Sequence, residues 1–297
     1  MTGGQSTAGG RSTAGGRSVT GRRHRAAVLG SPIAHSLSPV LHTAAYRALG
    51  LDDWEYGRFE LGEDDLAGFL AGLEPGLWAG FSLTMPLKRA VIPLLDEVSP
   101  TALAVEAVNT LVFEADGRRT GDNTDVPGLV AALRERGIGQ VPAAAVLGAG
   151  ATASSALAAL AQLCTGEVTV YVRSAERARE MRVLGDRLGV PVRTADWARG
   201  AEALAGPLTV STTPVGATDG FAAGLTGAPG ALFDVLYHPW PTVLAAACAE
   251  RGGIVLGGLD LLVHQAVLQC ERFTGITPGP LAAMRAAGEI ALAEREH

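Results

Sequence analysis

The chain has 297 residues, 47% hydrophobic and 18% charged, which is enough material for two globular domains of ordinary size. Its formal net charge of −6 argues against nucleic acid or an anionic membrane surface as the main partner. The three cysteines, Cys164, Cys248 and Cys270, have neither CxxC nor metal-ligand spacing. They read as small buried hydrophobes, and with no secretory signal in view this leads to a cytoplasmic protein without a bound metal.

Residues 1–21 carry the near-repeat STAGGRSTAGGR and almost nothing apolar. Such a segment buries too little surface to offset its ordering entropy and is expected to be a disordered tail. Arg25 to Leu29 then predicts a short apolar strand ending in Gly30-Ser31-Pro32. A helix signal follows at Ser38-Pro39-Val40-Leu41, with Ser38 as N-cap and Pro39 at the first helical position. Glu55 to Phe59 predicts a second strand, Asp64 to Leu73 a helix, and Gly80 to Met85 a third strand broken by Pro86. Leu103 to Val112 holds a further helix-to-strand passage. Alternation at such short intervals predicts an α/β sheet.

From Val126 the texture changes. A helix over Leu129–Glu135 leads to a strand at Ala143–Leu147, then Gly148-Ala149-Gly150, a helix at Ala153–Leu163 and a strand at Val168–Val172. That is a βαβ unit. Ala143 to Leu163 is uncharged over a length that could span a bilayer, but its Ala, Gly, Ser and Thr content suits a nucleotide loop better than a membrane helix. Later strands are expected at Leu208–Thr212, Ala231–Leu236 and Gly253–Leu256. The remainder from Leu259 is helical, with an apolar stripe of Leu259, Leu262, Val263, Ala266, Val267 and Cys270.

GAGATA, Gly148 to Ala153, matches a dinucleotide-binding fingerprint with Ala153 in the third small position. Gly148 allows the tight turn, and Gly150 lets the backbone approach a pyrophosphate at a helix N-terminus. At the end of the second strand an NAD site carries an acid, whereas this chain has Arg173, Ser174 and Arg177. Two guanidinium groups and a hydroxyl suit the 2′-phosphate of NADP. The alternative is a pair of ordinary surface arginines, and Glu176 between them counts against a phosphate.

Of the 24 Lys and Arg residues only Lys88 is a lysine. Arginine does not give up its proton in a protein, whereas lysine can, so the one lysine marks a candidate for proton exchange. Asparagine occurs only as Asn109 and Asn123, each followed by Thr. Their amides suit a polyhydroxylated ligand, or they are turn residues. Asp125 lies two positions after Asn123, and a Lys and an Asp brought together can share the proton that carbonyl reduction needs.

Taken together these segments resemble the shikimate dehydrogenase family, from about Ala26 to the C-terminal helices. The run Gly30 to Pro39 resembles the family's opening motif, in which two serines, here Ser36 and Ser38, bind a substrate carboxylate. Ser82-Leu83-Thr84-Met85-Pro86-Leu87-Lys88 resembles the next, which supplies polar contacts through Ser82 and Thr84 and the catalytic lysine. Asn109, Asp125, Tyr237 and Gln265 match further substrate positions, and Gln265 lies off the apolar stripe of its helix. The resemblance also implies cofactor contacts at Ala149, Ala151, Thr152, Thr213, Pro214 and Gly258. Four positions depart from the family pattern: Ser82 stands where Asn is common, Glu106 and Asp260 where Gly is usual, and Val172 where Asn is frequent.

The resemblance implies a two-domain α/β protein. An N-terminal substrate domain, residues 22–124, would be completed by 259–297, and a Rossmann NADP-binding domain would span 125–258. The implied activity is NADPH-dependent reduction of 3-dehydroshikimate to shikimate, on the route to chorismate and the aromatic amino acids, with Lys88 and Asp125 as the catalytic pair. Rival readings are a quinate or aminoshikimate dehydrogenase and a noncatalytic NADPH-sensing protein of the same fold. The implied partner is a small molecule, with a homodimer left open. Because residues 1–21 hold so little apolar surface, a chain starting at Arg22 should match the full chain in turnover and melting temperature. A large loss of either would show that the tail docks.

Overall fold

The structure, a computed structural model, describes residues 24–295. The expected tail, residues 1–21, lies outside them. The first half runs β1 (His24–Gly30), α1 (Ser38–Ala48), β2 (Trp54–Glu60), α2 (Glu63–Ala71), β3 (Trp78–Leu83), α3 (Leu87–Ala90), β4 (Glu97–Val98), α4 (Pro100–Val105), β5 (Thr110–Phe113) and β6 (Arg119–Asp122). These strands form a six-stranded sheet in the order β2-β1-β3-β5-β6-β4. It is mixed, because β5 pairs antiparallel with both β3 and β6.

The second half runs α5 (Asp125–Glu135), β7 (Ala144–Leu147), α6 (Ala151–Leu163), β8 (Val168–Val172), α7 (Ala175–Leu188), β9 (Val192–Asp196), β10 (Leu208–Ser211), α8 (Asp219–Ala223), β11 (Ala231–Asp234), α9 (Val243–Glu250) and β12 (Val255–Leu256). A 3₁₀ segment, Trp197–Ala205, follows β9. The strand order β12-β11-β10-β7-β8-β9 is entirely parallel and is the doubly wound Rossmann order. Along β7 the side chains alternate between two cores, Ala144 and Val146 on one face and Ala145 and Leu147 on the other. Burial on both faces is why its sequence is a continuous apolar run. The uncharged stretch from Ala143 is thus a strand, a loop and a short helix. No helix among the described residues is long and apolar enough to cross a membrane.

The last two helices, α10 (Gly258–Thr274) and α11 (Leu281–Ala293), return to the first half. Val263, Ala266, Cys270 and Met284 pack against Leu41, Ala45 and Tyr46 of α1, with Leu259, Leu262 and Val267 half-buried at the edge. Helix α10 also lies hard against α5. A Cβ on Gly128 would sit 2.9 Å from the main-chain nitrogen of Gln265, so only glycine allows this approach.

Several expectations shift. Ser38 is the first residue of α1, and the capping position belongs to Leu37. Ser36 performs the capping chemistry instead, its Oγ accepting the Ser38 N–H at 3.3 Å. Helix α5 starts four residues before the expected Leu129, because Pro127 is tolerated in a first turn and Asn123 Oδ1 accepts the Val126 N–H at 3.1 Å. Strand β6 reads Arg-Thr-Gly-Asp and carries no period-two signal; pairing with β5 and β4 makes it a strand. Cys164 is half-buried, while Cys248 and Cys270 are fully buried.

His42 of α1 is fully buried, its ring stacked on Tyr56 with centroids 4.1 Å apart. Burial pulls its pKa down to about 3, with the side chain of Gln269 opposing the fall. The folded state therefore holds it neutral while the unfolded chain protonates near the ordinary 6.5. Stability from this residue is complete above that value and is lost as pH falls from there towards 3, by up to about 1.4 kcal/mol per pH unit. His42→Phe should flatten the pH dependence of unfolding in that window by close to one proton. An unchanged slope in denaturant titrations would contradict a neutral buried His42.

Candidate active site

Two adjoining cavities lie between the sheets. The smaller, about 230 Å³, is lined by Ser36, Ser38, Ser82, Thr84, Lys88, Asn109, Asp125, Tyr237 and Gln265. All the side chains expected to contact substrate therefore come together, from segments as distant as α1 and α10. The larger, about 620 Å³, is lined by the glycine-rich loop from Gly148 to Thr152, by Arg173, Ser174 and Arg177, and by Thr213 and Pro214. Thr84, Lys88 and Thr152 line both, so the cavities meet at Lys88.

Lys88 stands in the single-turn helix after β3, and its carbonyl accepts the Val108 N–H at 2.8 Å, which ties this turn to the approach to β5. Its Nζ donates to Asp125 Oδ2 at 2.5 Å, with both side chains largely buried. Asp125 is the first residue of α5, where the positive end of the helix favours a carboxylate. Its other oxygen accepts from Asn109 Nδ2 at 2.8 Å. Asn109 is itself fixed, because its Oδ1 accepts the Thr124 N–H at 2.8 Å. Gln265 faces the same cluster, with Oε1 3.4 Å from Asn109 Nδ2 and Nε2 donating to the Leu262 carbonyl at 2.9 Å.

The two rare asparagines have parted. Asn109 is in the cavity, whereas Asn123 is buried and donates to the Ala107 carbonyl at 2.8 Å and to Ser155 Oγ at 3.1 Å, joining the start of α5 to α6. Tyr237 follows β11, on a turn held by the buried carboxylate of Asp234, which accepts from Thr242 Oγ1 at 2.8 Å and from the Leu236 N–H at 3.3 Å. Burial pushes the Tyr237 phenol above its ordinary value.

Two further polar residues belong to the site and were not read from the sequence. Gln269 is buried and lines the smaller cavity; Tyr56, from β2, reaches Ser82 from behind. Gln269 follows Gln265 by four residues, one turn along the same helix face, which is the signal that would have found it.

The larger cavity fits a dinucleotide. Gly148 has φ of +111°, open to glycine, and a Cβ there would lie 2.7 Å from Thr212 Oγ1. Gly150 precedes α6, and a Cβ on it would meet no protein atom within 4 Å, which leaves room beside the helix N-terminus for a pyrophosphate. Arg173 lies over the Trp197 ring, 4.8 Å from its centroid. Ser174 caps α7, accepting the Arg177 N–H at 3.2 Å, and Arg177 pairs with Glu180 at 2.6 Å. Of the other expected cofactor residues, Ala153 is fully buried on the inner face of α6, and Gly258 lines the smaller cavity.

The departures from the family pattern also find places. Glu106 ends α4 with φ of +51°, the left-handed region glycine favours, and pairs with Arg187 at 2.8 Å. Asp260 is turned to Arg285 Nη1 at 2.6 Å, and Val172 is buried at the end of β8.

Comparisons with known proteins agree with this geometry. Residues 28–111 match the profile described as the shikimate dehydrogenase substrate binding domain, and residues 258–287 that of the shikimate 5′-dehydrogenase C-terminal domain. The chain is 38% identical to the shikimate dehydrogenase (NADP(+)) of Oleidesulfovibrio alaskensis over 85% of its own length and 90% of the relative's. The crystal structure of Mycobacterium tuberculosis shikimate dehydrogenase superposes with a TM-score of 0.83 at 44% identity, covering 90% of this chain and 99% of that one. The Thermus thermophilus shikimate 5-dehydrogenase, solved in complex with NADP(H) and shikimate, gives 0.78 at 34% identity over 90% and 99%. With this identity sustained along nearly the whole of its relatives, the chain belongs to the shikimate dehydrogenase family.

Proposed function

We propose that this chain catalyses the NADPH-dependent, reversible reduction of 3-dehydroshikimate to shikimate, the ketone-to-alcohol step of the shikimate pathway that feeds chorismate and the aromatic amino acids. The observation that carries the reading is the Lys88–Asp125 pair at the junction of the two cavities. A proton donor there faces a polar chamber on one side and a nucleotide-shaped chamber on the other. Curated relatives named as NADP-dependent shikimate dehydrogenases support the same reaction and disfavour a noncatalytic reading. As part of the proposal, residues 22–124 with 259–297 form the substrate unit and 125–258 the cofactor unit.

When bound, the nicotinamide supplies hydride to the ketone carbon. Lys88 donates a proton from Nζ to the oxygen that becomes the alcohol, and takes it back in the reverse direction. Asp125 holds the ammonium in place and offsets its charge, while Asn109 and the α5 terminus hold Asp125. Ser36 and Ser38 take the substrate carboxylate near the start of α1, and Ser82, Thr84, Tyr237 and Gln265 take the ring. Arg173, Ser174 and Arg177 hold the 2′-phosphate of NADP, with Trp197 bracing the first arginine. Arg177 must exchange Glu180 for the phosphate to do so.

Steady-state turnover of 3-dehydroshikimate with NADPH tests the assignment directly, and absence of turnover would overturn it. Lys88→Arg preserves the charge but not the proton transfer, and should lower kcat by roughly 10²–10⁴-fold with a much smaller change in KM for shikimate. A kcat near wild type would remove Lys88 from the chemistry. The double replacement Arg173→Ala with Arg177→Ala should weaken NADPH about a hundredfold or more, since each charge-assisted hydrogen bond contributes on the order of tenfold. NADH affinity should barely move. Equal use of NADPH and NADH by the wild type would refute the assignment of these arginines.

A further inference from the structure

The hydroxyl of Ser82 has partners that leave it no choice of polarity. The main-chain carbonyl of Asn109 can only accept a hydrogen bond. Gln269 Nε2 lies 2.9 Å from that carbonyl and 3.0 Å from Thr110 Oγ1. Thr110 gives its own proton to Asn109 Oδ1 at 2.8 Å, so towards Gln269 it accepts. Both amide protons of Gln269 are committed, and its Oε1 faces the other way, 2.6 Å from Ser82 Oγ. An amide oxygen only accepts, so the single proton of Ser82 is directed to Gln269. Tyr56 Oη, also 2.6 Å from Ser82 Oγ, must then donate to it. Burial pushes the Tyr56 phenol far above its ordinary value, so that proton stays in place through the neutral range.

A serine hydroxyl has one proton and two lone pairs. Here the proton and one lone pair are taken by the protein, and Ser82 lines the smaller cavity with one lone pair left. We propose that Ser82 acts only as an acceptor towards substrate, and that Gln269 is a positioning residue that imposes this polarity. The site then selects a ring substituent that donates a proton at this point and rejects one that cannot. The asparagine common at this position in the family both donates and accepts, so the serine locked by Gln269 is the stricter reader. The inference rests on the reading of the ligand as a hydroxylated ring acid. A site built to hydrogen-bond a substrate group discriminates strongly, because the analogue leaves a buried partner unsatisfied.

The test uses the full chain and shikimate analogues in which each of the two non-reacting ring hydroxyls is replaced in turn by fluorine or by an amine. Fluorine cannot donate, whereas a protonated amine donates and cannot accept. At one of the two positions the wild type should favour the amine over fluorine by at least about tenfold in kcat/KM. Ser82→Ala should abolish that ratio. Gln269→Met frees the Ser82 proton and should remove most of it. A ratio taken within one variant cancels any general loss of activity or folding, which a merely structural Gln269 would produce. A preference for fluorine, no preference at either position, or a preference that survives Ser82→Ala would overturn the polarity. A preference that survives Gln269→Met would overturn the positioning role. If Gln269→Met does not fold, the wild type and Ser82→Ala still decide what Ser82 does. Failure of the wild type to turn over shikimate itself would instead strike at the proposed function.

Discussion

The rest of the site depends on one ion pair that is costly to keep. Lys88 and Asp125 meet at 2.5 Å with little exposure to solvent, and a buried charge pair offsets its desolvation only where further hydrogen bonds complete it. The neighbouring structure supplies that completion. The first turn of α5 faces the carboxylate, and Asn109, pinned by the Thr124 N–H, donates to its second oxygen. Thr124 and Gln265 close the cluster on the other side. The polar network is therefore continuous from β5 through α5 to α10, and it occupies the place where the two sheets approach.

That network requires a rigid frame, and the two halves provide it differently. The parallel sheet is buried on both faces and ends at a glycine-rich turn, which leaves α6 pointing its N-terminus at the cleft. The mixed sheet brings β3 and β5 side by side, so Ser82 on β3 and Asn109 just before β5 face the same cavity. Helices α10 and α11 return to α1, and α10 lays Gln265 and Gln269 across that cavity. Gly128 sets how closely α10 can lie, and a side chain there would push Gln265 away from the cluster.

The unusual residues fit the same frame. Glu106 adopts a left-handed conformation that costs a non-glycine residue about 1–2 kcal/mol. Its partner Arg187 also donates to the Ala104 carbonyl, so the same residue links α4 of the first half to α7 of the second. Asp260 joins Arg285, Glu135 and His264 in a cluster that ties α5, α10 and α11 together. His264 together with Arg285 draws the Glu135 carboxyl below its ordinary range. Both departures trade a small residue for an interhelical tie, and neither enters the cavity that holds Lys88.

The residues themselves determined which parts of this protein carry chemistry. A single lysine, a glycine-rich loop after an apolar strand and arginines at the end of the next strand are local signals, because composition and short-range periodicity follow from side-chain chemistry alone. The doubly wound half was legible for the same reason, since strands buried on both faces must be continuously apolar. Strand β6 was not, because its ladder is made by neighbours distant in sequence and its residues show no alternation. Ser38 read as a cap from its place before Pro39, but the path of the loop gave that task to Ser36. Only the tertiary structure decided that Asn109 would hold Asp125 while Asn123 joined helices, since the two stand in similar local sequence. It also decided the part played by Gln269 and Tyr56. Hydrogen-bond polarity is a property of a closed network, and a network closes only when β2, β3, β5 and α10 are brought to one point.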